Sequence, residues 1–241
     1  MPSDDFMERA DDEREMTTIA DDIDDLDDDR DLDDDRADEE DTDTVTFASL
    51  GLPEEILAAV TDMGFRVPTP IQAAAIPPLL ELRDVVGIAQ TGTGKTAAFG
   101  LPLLAIVDAD ERDVQALVLA PTRELAMQSA QAIEDFAART ARLDVVPVYG
   151  GSPYGPQIGA LKRGAQVVVG TPGRVIDLIE KGALDLSNVR MLVLDEADEM
   201  LRMGFAEDVE TIASSAPDDR LTALFSATMP AAIEKGAREH L

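Results

Sequence analysis

VVGIAQTGTGKTAAFG, residues 85–100, is the stretch on which the fold turns. An apolar strand, Val85–Ala89, runs into Gln90-Thr91-Gly92-Thr93-Gly94-Lys95-Thr96, and an apolar helical segment follows. Gly92 and Gly94 let the backbone turn tightly enough for several N–H groups to point inward as an anion nest. The positive end of the following helix favours the same anion, so the segment reads as a phosphate cradle. Lys95 would reach the outer phosphates of a nucleotide and the Thr96 hydroxyl would ligate Mg2+. The general pattern places Gly where this chain has Ala89, so the strict template is not met. The bland alternative is a glycine-rich turn that happens to carry a lysine; the flanking strand and helix favour the cradle.

Working outward, apolar runs of strand length alternate with helical patterns from Val45 onward. Strands are expected at Val85–Ala89, Ala116–Ala120, Val145–Tyr149, Gln166–Val169, Met191–Leu194 and Ala223–Phe225. They are rich in Val, Leu and Ile without strict alternation, as strands covered on both faces should be. One helix begins after Pro53 and closes at Gly64; another opens at Thr69-Pro70 and is interrupted or ended by Pro77-Pro78. Further helices are expected over Arg123–Arg139, Pro172–Lys181 and Phe205–Ala213. Such β–α alternation predicts an α/β fold: a mainly parallel central sheet with helices on both faces. No internal repeat appears, and no break in composition divides residues 45–241.

The 241-residue chain carries 50 acidic and 20 basic side chains, a formal charge of −30. Residues 1–44 hold 23 of the acids and 4 of the bases, centred on DDIDDLDDDRDLDDDRADEEDTD. Like-charge repulsion and scarce apolar surface predict a disordered, solvated arm there, favoured over the alternative of a docking site for a basic partner. Residues 45–241 form the expected folded domain, with 27 acids and 16 bases. Absence of Cys excludes disulfides, thiol nucleophiles and Cys-ligated metals. The single histidine, His240, leaves no His-based acid–base or metal chemistry. No apolar run approaches the ~18–20 residues of a membrane span, and the N-terminus lacks the parts of a signal peptide. A soluble, cytoplasmic chain is expected.

In MLVLDEADEM, residues 191–200, four apolar residues lead directly to Asp195, Glu196 and Asp198. Ligands of open α/β sheets gather at the carboxyl ends of strands. Asp195 would thus stand near the phosphate cradle and hold Mg2+ through water, while Glu196 would deprotonate an attacking water. Alone, the segment could equally be a solvated acidic turn; the cradle upstream favours the metal reading.

Asp195-Glu196-Ala197-Asp198 is the signature of the DEAD-box ATP-dependent RNA helicases, and the chain is identified as resembling that family. Ala89–Thr96 resembles its version of the phosphate loop, in which Ala replaces the general Gly. Gly64-Phe65-Arg66-Val67-Pro68-Thr69-Pro70-Ile71-Gln72 resembles its Q motif, with Phe47 lying 17 residues ahead of Gly64. Pro121-Thr122-Arg123-Glu124-Leu125, Gly150-Gly151, Thr171-Pro172-Gly173-Arg174 and Ser226-Ala227-Thr228 follow in the family's order.

The resemblance implies a RecA-like P-loop domain with ATP and Mg2+ as cofactors. Lys95, Asp195 and Glu196 would be catalytic, with Thr96 and Asp195 on the metal. Phe47, Arg66, Gln72, Gln90, Thr91, Gly92, Thr93, Gly94, Lys95 and Thr96 would bind nucleotide, Gln72 clamping the adenine edge and Phe47 stacking on the base. Asp198, Ser226 and Thr228 would couple nucleotide state to RNA state. Pro121, Thr122, Arg123, Glu124, Gly150, Gly151, Thr171, Pro172, Gly173 and Arg174 would form an RNA face. It reads backbone shape without sequence, with 2′-hydroxyl contacts separating RNA from DNA.

The resemblance also implies a second RecA-like domain, absent from these residues, which supplies arginines to the γ-phosphate. A domain without it should bind ATP–Mg2+ and RNA weakly, with little ATPase and no unwinding. Two alternatives stand beside this reading: a P-loop ATPase or helicase acting on DNA, and a non-enzymatic acidic interaction module. The acidic, Lys-poor surface (four Lys against 12 Arg in residues 45–241) resembles that of proteins from halophile cytoplasm.

Overall fold

The strand segments lack alternation because both faces of their sheet are covered. The structure, a computed structural model, describes residues 17–20, 45–140 and 143–231. In chain order the elements are β1 (Thr17–Ala20), a 3-10 turn (Phe47–Leu50), α1 (Glu54–Asp62), α2 (Pro70–Leu80), β2 (Val85–Ile88), α3 (Lys95–Ile106), β3 (Ala116–Leu119) and α4 (Arg123–Phe136). There follow β4 (Val145–Val148), α5 (Tyr154–Arg163), β5 (Val167–Gly170), α6 (Pro172–Glu180), β6 (Met191–Leu194), α7 (Ala197–Arg202), α8 (Ala206–Ala213) and β7 (Leu221–Ser226). Among the described residues, seven strands form one all-parallel sheet in the order β1-β2-β7-β6-β3-β5-β4.

Successive side chains of the inner strands enter different halves of the core. Val85, Val118, Val169, Val193 and Phe225 join one buried cluster with residues of α1 to α4. Val86, Leu117, Leu119, Val168, Leu192 and Leu224 join a second, against α6, α7 and α8. Burial of this kind, at about 25 cal/mol per Å2 of apolar surface, is the main force holding the layers together.

Three expectations need correction. The acidic arm is not structureless throughout: Thr17–Ala20 pairs in parallel with Val85–Ile88 as an edge strand. These four residues are an uncharged interval of the arm, and β-branched Thr17, Thr18 and Ile19 suit a pleated edge. The remainder of the arm and residues 232–241 lie outside the described residues. Helix α2 continues through Pro77 and Pro78 to Leu80. A proline lacks a donor but still accepts, and the Pro77 and Pro78 carbonyls receive Glu81 N–H and Arg83 N–H, each at 3.0 Å. Helices α5 and α7 were not expected; α7 begins immediately after Glu196, within the acidic signature.

Gly64 closes α1 with φ of 86°, the Phe65 N–H reaching the Val60 carbonyl at 3.0 Å. The strands end together, so every loop leaving a strand's carboxyl end opens on one edge of the sheet. Among the described residues, no helix is long and apolar enough to cross a membrane.

Candidate functional site

The strand order divides this carboxyl edge in two. Adjacent strands β2, β7 and β6 lead into the phosphate loop, Ser226-Ala227-Thr228 and Asp195–Asp198 respectively. Adjacent strands β3, β5 and β4 lead into Pro121–Glu124, Thr171–Arg174 and Gly150-Gly151. Motifs scattered over more than a hundred residues thus form two contiguous groups on one edge.

In the first group, Lys95 Nζ donates to Glu196 Oε1 at 2.8 Å, and Thr91 Oγ1 donates to the same oxygen at 3.2 Å. Both Lys95 and Glu196 are buried. Glu196 has φ of 53° and ψ of 51°, left-handed for a residue that is not glycine. Such backbone costs on the order of 1–3 kcal/mol and persists where its surroundings over-determine it. Here it turns the chain sharply from β6 into α7 and brings the carboxylate back over the phosphate loop.

Asp195 is 5% exposed. Its carboxyl is raised to about 6, mainly by burial, with Lys95 opposing the rise and the Glu196 charge adding to it. Among the described residues its Oδ1 finds no hydrogen-bond partner. Asp198 behaves oppositely. Burial raises its carboxyl, but hydrogen bonds from Thr228, Ser226 and the Ala227 and Glu199 backbones together hold it below the usual range. Thr228 Oγ1 donates to Asp198 Oδ2 at 2.8 Å, and the Asp198 N–H donates to Ser226 Oγ at 3.2 Å. Ala89 N–H donates to the Ser226 carbonyl at 3.0 Å, so β7 joins phosphate loop and acidic turn.

Gln72 is buried and its amide is engaged: Oε1 accepts from Thr69 N–H at 2.9 Å and Nε2 donates to the Gly94 carbonyl at 3.1 Å. Gly94, at φ of 90°, sits so close that a Cβ there would lie 2.3 Å from Gln72 Nε2. Gln72 is thus tied to the phosphate loop from 22 residues upstream. Arg66, Gln90, Thr91 and Gly92 are exposed, while Thr93 and Thr96 are half-buried beside Lys95. Phe47 departs from expectation. It is 2% exposed, packed edge-to-face on Phe65 at 5.7 Å between centroids, and offers no free face to a base. Phe65 packs likewise on Phe136 at 6.1 Å. An aromatic next to a helical core satisfies itself there unless something holds it out.

In the second group, Pro121 is buried and Thr122 caps α4, its Oγ1 accepting from Leu125 N–H at 3.3 Å. Arg123 and Glu124 are exposed, with the Arg123 guanidinium 4.8 Å from the centre of the Tyr149 ring. Gly150, Gly151 and Gly173 are exposed; Thr171 precedes α6 with Pro172 in its first turn. Arg174, expected on the RNA face, is instead 7% exposed. Its guanidinium lies 4.1 Å from the centre of the Tyr154 ring and donates to Gln157 and to the Ser152 carbonyl. Sequence reading did not single out Gln157, Tyr154 or Tyr149. The available signal was slight, since Tyr154 and Gln157 share a face of α5 only if that helix is recognised.

Chemically, the first group can cradle phosphates, offer a hard oxygen to a cation and place a carboxylate over the loop. Among the described residues, no cluster of three or more His, Cys, Asp or Glu side chains could hold a metal unaided.

Comparison with known proteins agrees with this layout. Residues 69–235 match the family model described as DEAD/DEAH box helicase. Over 194 residues the chain is 59% identical to a Haemophilus influenzae protein named ATP-dependent RNA helicase DeaD, covering 80% of this chain and 32% of that protein. An Escherichia coli protein of the same name is 57% identical over 196 residues, 81% of this chain and 31% of the relative. Among solved structures, a DEAD box protein from the hyperthermophile Methanococcus jannaschii is 45% identical with a TM-score of 0.78, covering 81% of this chain and 53% of that one. A hypothetical ATP-dependent RNA helicase from Sulfolobus tokodaii is 41% identical with a TM-score of 0.72, covering 79% of this chain and 55% of its own. The chain spans about a third of the length of the curated relatives it matches. A phosphate loop closed by the second residue of Asp-Glu-Ala-Asp, on a RecA-like parallel sheet whose other strand ends carry four further motifs, agrees with the matched family model: this chain belongs to the DEAD/DEAH box helicase family.

Proposed function

We propose that this chain is the ATP- and RNA-binding RecA-like domain of a DEAD-box RNA helicase, coupling ATP hydrolysis to local duplex separation when joined to a second such domain. The observation that carries this reading is the division of one sheet edge into two groups of motifs, one after β2, β7 and β6 that would take nucleotide, and one after β3, β5 and β4 that would take RNA. The names of the relatives support the ATP and RNA assignments.

Lys95 and the loop N–H groups would bind the β- and γ-phosphates. The metal fits the residues present: the Asp195 Oδ1 is buried with no hydrogen-bond partner among the described residues, and Thr96 lies in the first turn of α3. Asp195 and Thr96 would hold Mg2+, with nucleotide and water completing a shell the protein does not supply. Bound there, the ion supplies neutralisation of phosphate charge. Without nucleotide, Glu196 is committed to Lys95. When phosphates take the lysine, Glu196 is released to accept a proton from the attacking water. Gln72, with one amide N–H and one lone pair left after its two bonds, would read the adenine edge while steadying Gly94. Phe47 contributes through Phe65, which precedes Arg66, as packing for that segment.

Ser226 and Thr228, bonded to Asp198, would pass the state of the nucleotide half towards the RNA half. N–H groups at the exposed Gly150, Gly151 and Gly173 and in the first turn of α4 after Thr122 would contact sugar and phosphate. Hydrolysis also requires arginines from the second domain, a contribution of ~10³–10⁵ in rate. The acidic surface suits concentrated salt, where contacts by backbone N–H groups outlast those based on counterion release. Equal folding and solubility without salt would remove that part of the proposal.

The test is nucleotide and RNA binding by the 241-residue chain. ATP should bind in preference to GTP, single-stranded RNA in preference to DNA of the same sequence, and Lys95→Ala should abolish ATP binding. RNA-stimulated hydrolysis at full helicase rates by this chain alone, or equal binding of GTP, would overturn the reading.

A further inference from the structure

We propose that Arg174 and Gln157 are positioning residues that clamp both shoulders of the Gly150-Gly151 turn, so that Arg174 serves RNA binding through that turn and not by touching phosphate. The inference rests on the RNA-face assignment above.

The turn itself is unconstrained by its own residues. Gly150 and Gly151 are exposed, Gly151 has φ of 74°, and a Cβ added to either would meet no atom within 4 Å. Two adjacent glycines lose more conformational freedom on ordering than any other pair, so a ligand that uses their N–H groups must offset that cost unless the protein already has.

The residues on either side are held. Before the turn, the Tyr149 carbonyl accepts from Gln157 Nε2 at 3.2 Å. After it, the Ser152 carbonyl accepts from Arg174 Nη2 at 3.0 Å. The two holding groups are joined, Arg174 Nη1 donating to Gln157 Oε1 at 3.0 Å. Gln157 thus spends its donor on one shoulder and its acceptor on the residue that holds the other.

Arg174 has little left for a phosphate. Its guanidinium is stacked on Tyr154, whose hydroxyl donates to Asp177 at 2.7 Å, and its Nε lies 3.9 Å from that carboxylate. The charge is already faced by Asp177 and the side chain is buried. Arg123 is the contrast. It is exposed, its guanidinium lying over the Tyr149 ring. Through Tyr149, Gln157 and Arg174, the loops leaving β3, β4 and β5 are fastened into one surface. That arrangement pre-organises a contact which no charge on Arg174 needs to make.

The salt dependence of binding separates the two roles. Each phosphate contact by a cation contributes about 0.7 to the slope of log K against log salt for a single strand. Anisotropy of a labelled single-stranded RNA is measured over a salt series with the 241-residue chain, with ATP affinity reporting an intact fold. Gln157→Leu and Arg174→Gln should each weaken RNA by about tenfold, the scale of one charge-assisted hydrogen bond, with the slope and ATP affinity unchanged. Arg174→Lys should not rescue, because an ammonium keeps the charge but loses the fork. The double variant should be no weaker than Arg174→Gln, since both act through one clamp. Arg123→Gln should lower the slope by about 0.7. Amide exchange at Gly150, Gly151 and Ser152 should accelerate in both clamp variants without any RNA. A slope lowered by Arg174→Gln with Gln157→Leu silent would overturn the proposal, as would unchanged exchange. If Arg174→Gln does not fold, Gln157→Leu alone decides. RNA that fails to bind the unmutated chain, with exchange still accelerated in the variants, would overturn the RNA assignment and leave the clamp standing.

Discussion

Lys95 Nζ lies 2.8 Å from Glu196 Oε1, with both side chains buried, so the phosphate-loop lysine rests on the carboxylate proposed to activate water. A pair of this kind is costly to break from one side, because the survivor is left charged and unpaired. It also makes the two functions exclusive: phosphates must take the lysine before the carboxylate becomes free.

Glu196→Gln should therefore bind ATP tighter than the unmutated chain, by several-fold, because nucleotide no longer competes with a charged partner for Lys95. The gain corresponds to roughly 1 kcal/mol, the difference between a charge-assisted and a neutral hydrogen bond. Isothermal titration with ATP and magnesium checks this. Weaker binding by Glu196→Gln would show that the pair supports the nucleotide-ready loop instead of competing for it.

Asp195→Asn should stabilise the nucleotide-free fold. The folded carboxyl is raised to about 6 from 3.8, mainly by burial. The folded state therefore holds a proton more firmly than the unfolded chain between those values. Stability is lost as pH rises through that interval, and the cost is fully present at neutral pH, on the order of 1–3 kcal/mol. Denaturation at neutral pH should show Asp195→Asn more stable than its parent, with the advantage vanishing below the unfolded value. Magnesium-dependent ATP binding should be lost in the same variant.

Thr228→Val removes the 2.8 Å hydrogen bond to Asp198. The Asp198 carboxyl is held below its usual value, so the stabilisation is present above the unfolded pKa and lost as pH falls through the folded one. The expected cost is ~1 kcal/mol at neutral pH. It should shrink once the medium is more acidic than the usual 3.8 of this side chain. A cost independent of pH would assign the effect to packing.

Removing residues 1–20 should lower stability and promote self-association. Ile19 packs on the core beneath β2, Thr17 N–H donates to the Asp84 carbonyl at 3.1 Å, and Arg83 Nη1 donates to Thr17 Oγ1 at 3.1 Å. The loss should be about 1–2 kcal/mol, that of one part-buried aliphatic side chain and its edge bonds. The bared edge of β2 would then be open to a strand from another copy. Urea denaturation and light scattering against the full chain decide the matter.

Sequence alone determined the parallel α/β sheet, the phosphate loop after β2, the acidic turn after β6 and the order of the motifs. Each depends on chemistry local to a few residues: a glycine-rich turn between an apolar strand and a helix, or acids at a strand end, means the same wherever the chain goes next. Side-chain direction was settled only by tertiary structure. Phe47 was expected on a base and lies in the core; Arg174 was expected on RNA and lies under a glycine turn; Thr17–Ala20, inside an acidic run, completes a sheet. In each case the deciding partner is distant along the chain: Phe65 for Phe47, Gln157 for Arg174, Val85–Ile88 for the strand. Residue type says what a side chain can bond to. Which bond it makes depends on the competing partners that packing brings within reach, and those partners are not written beside it.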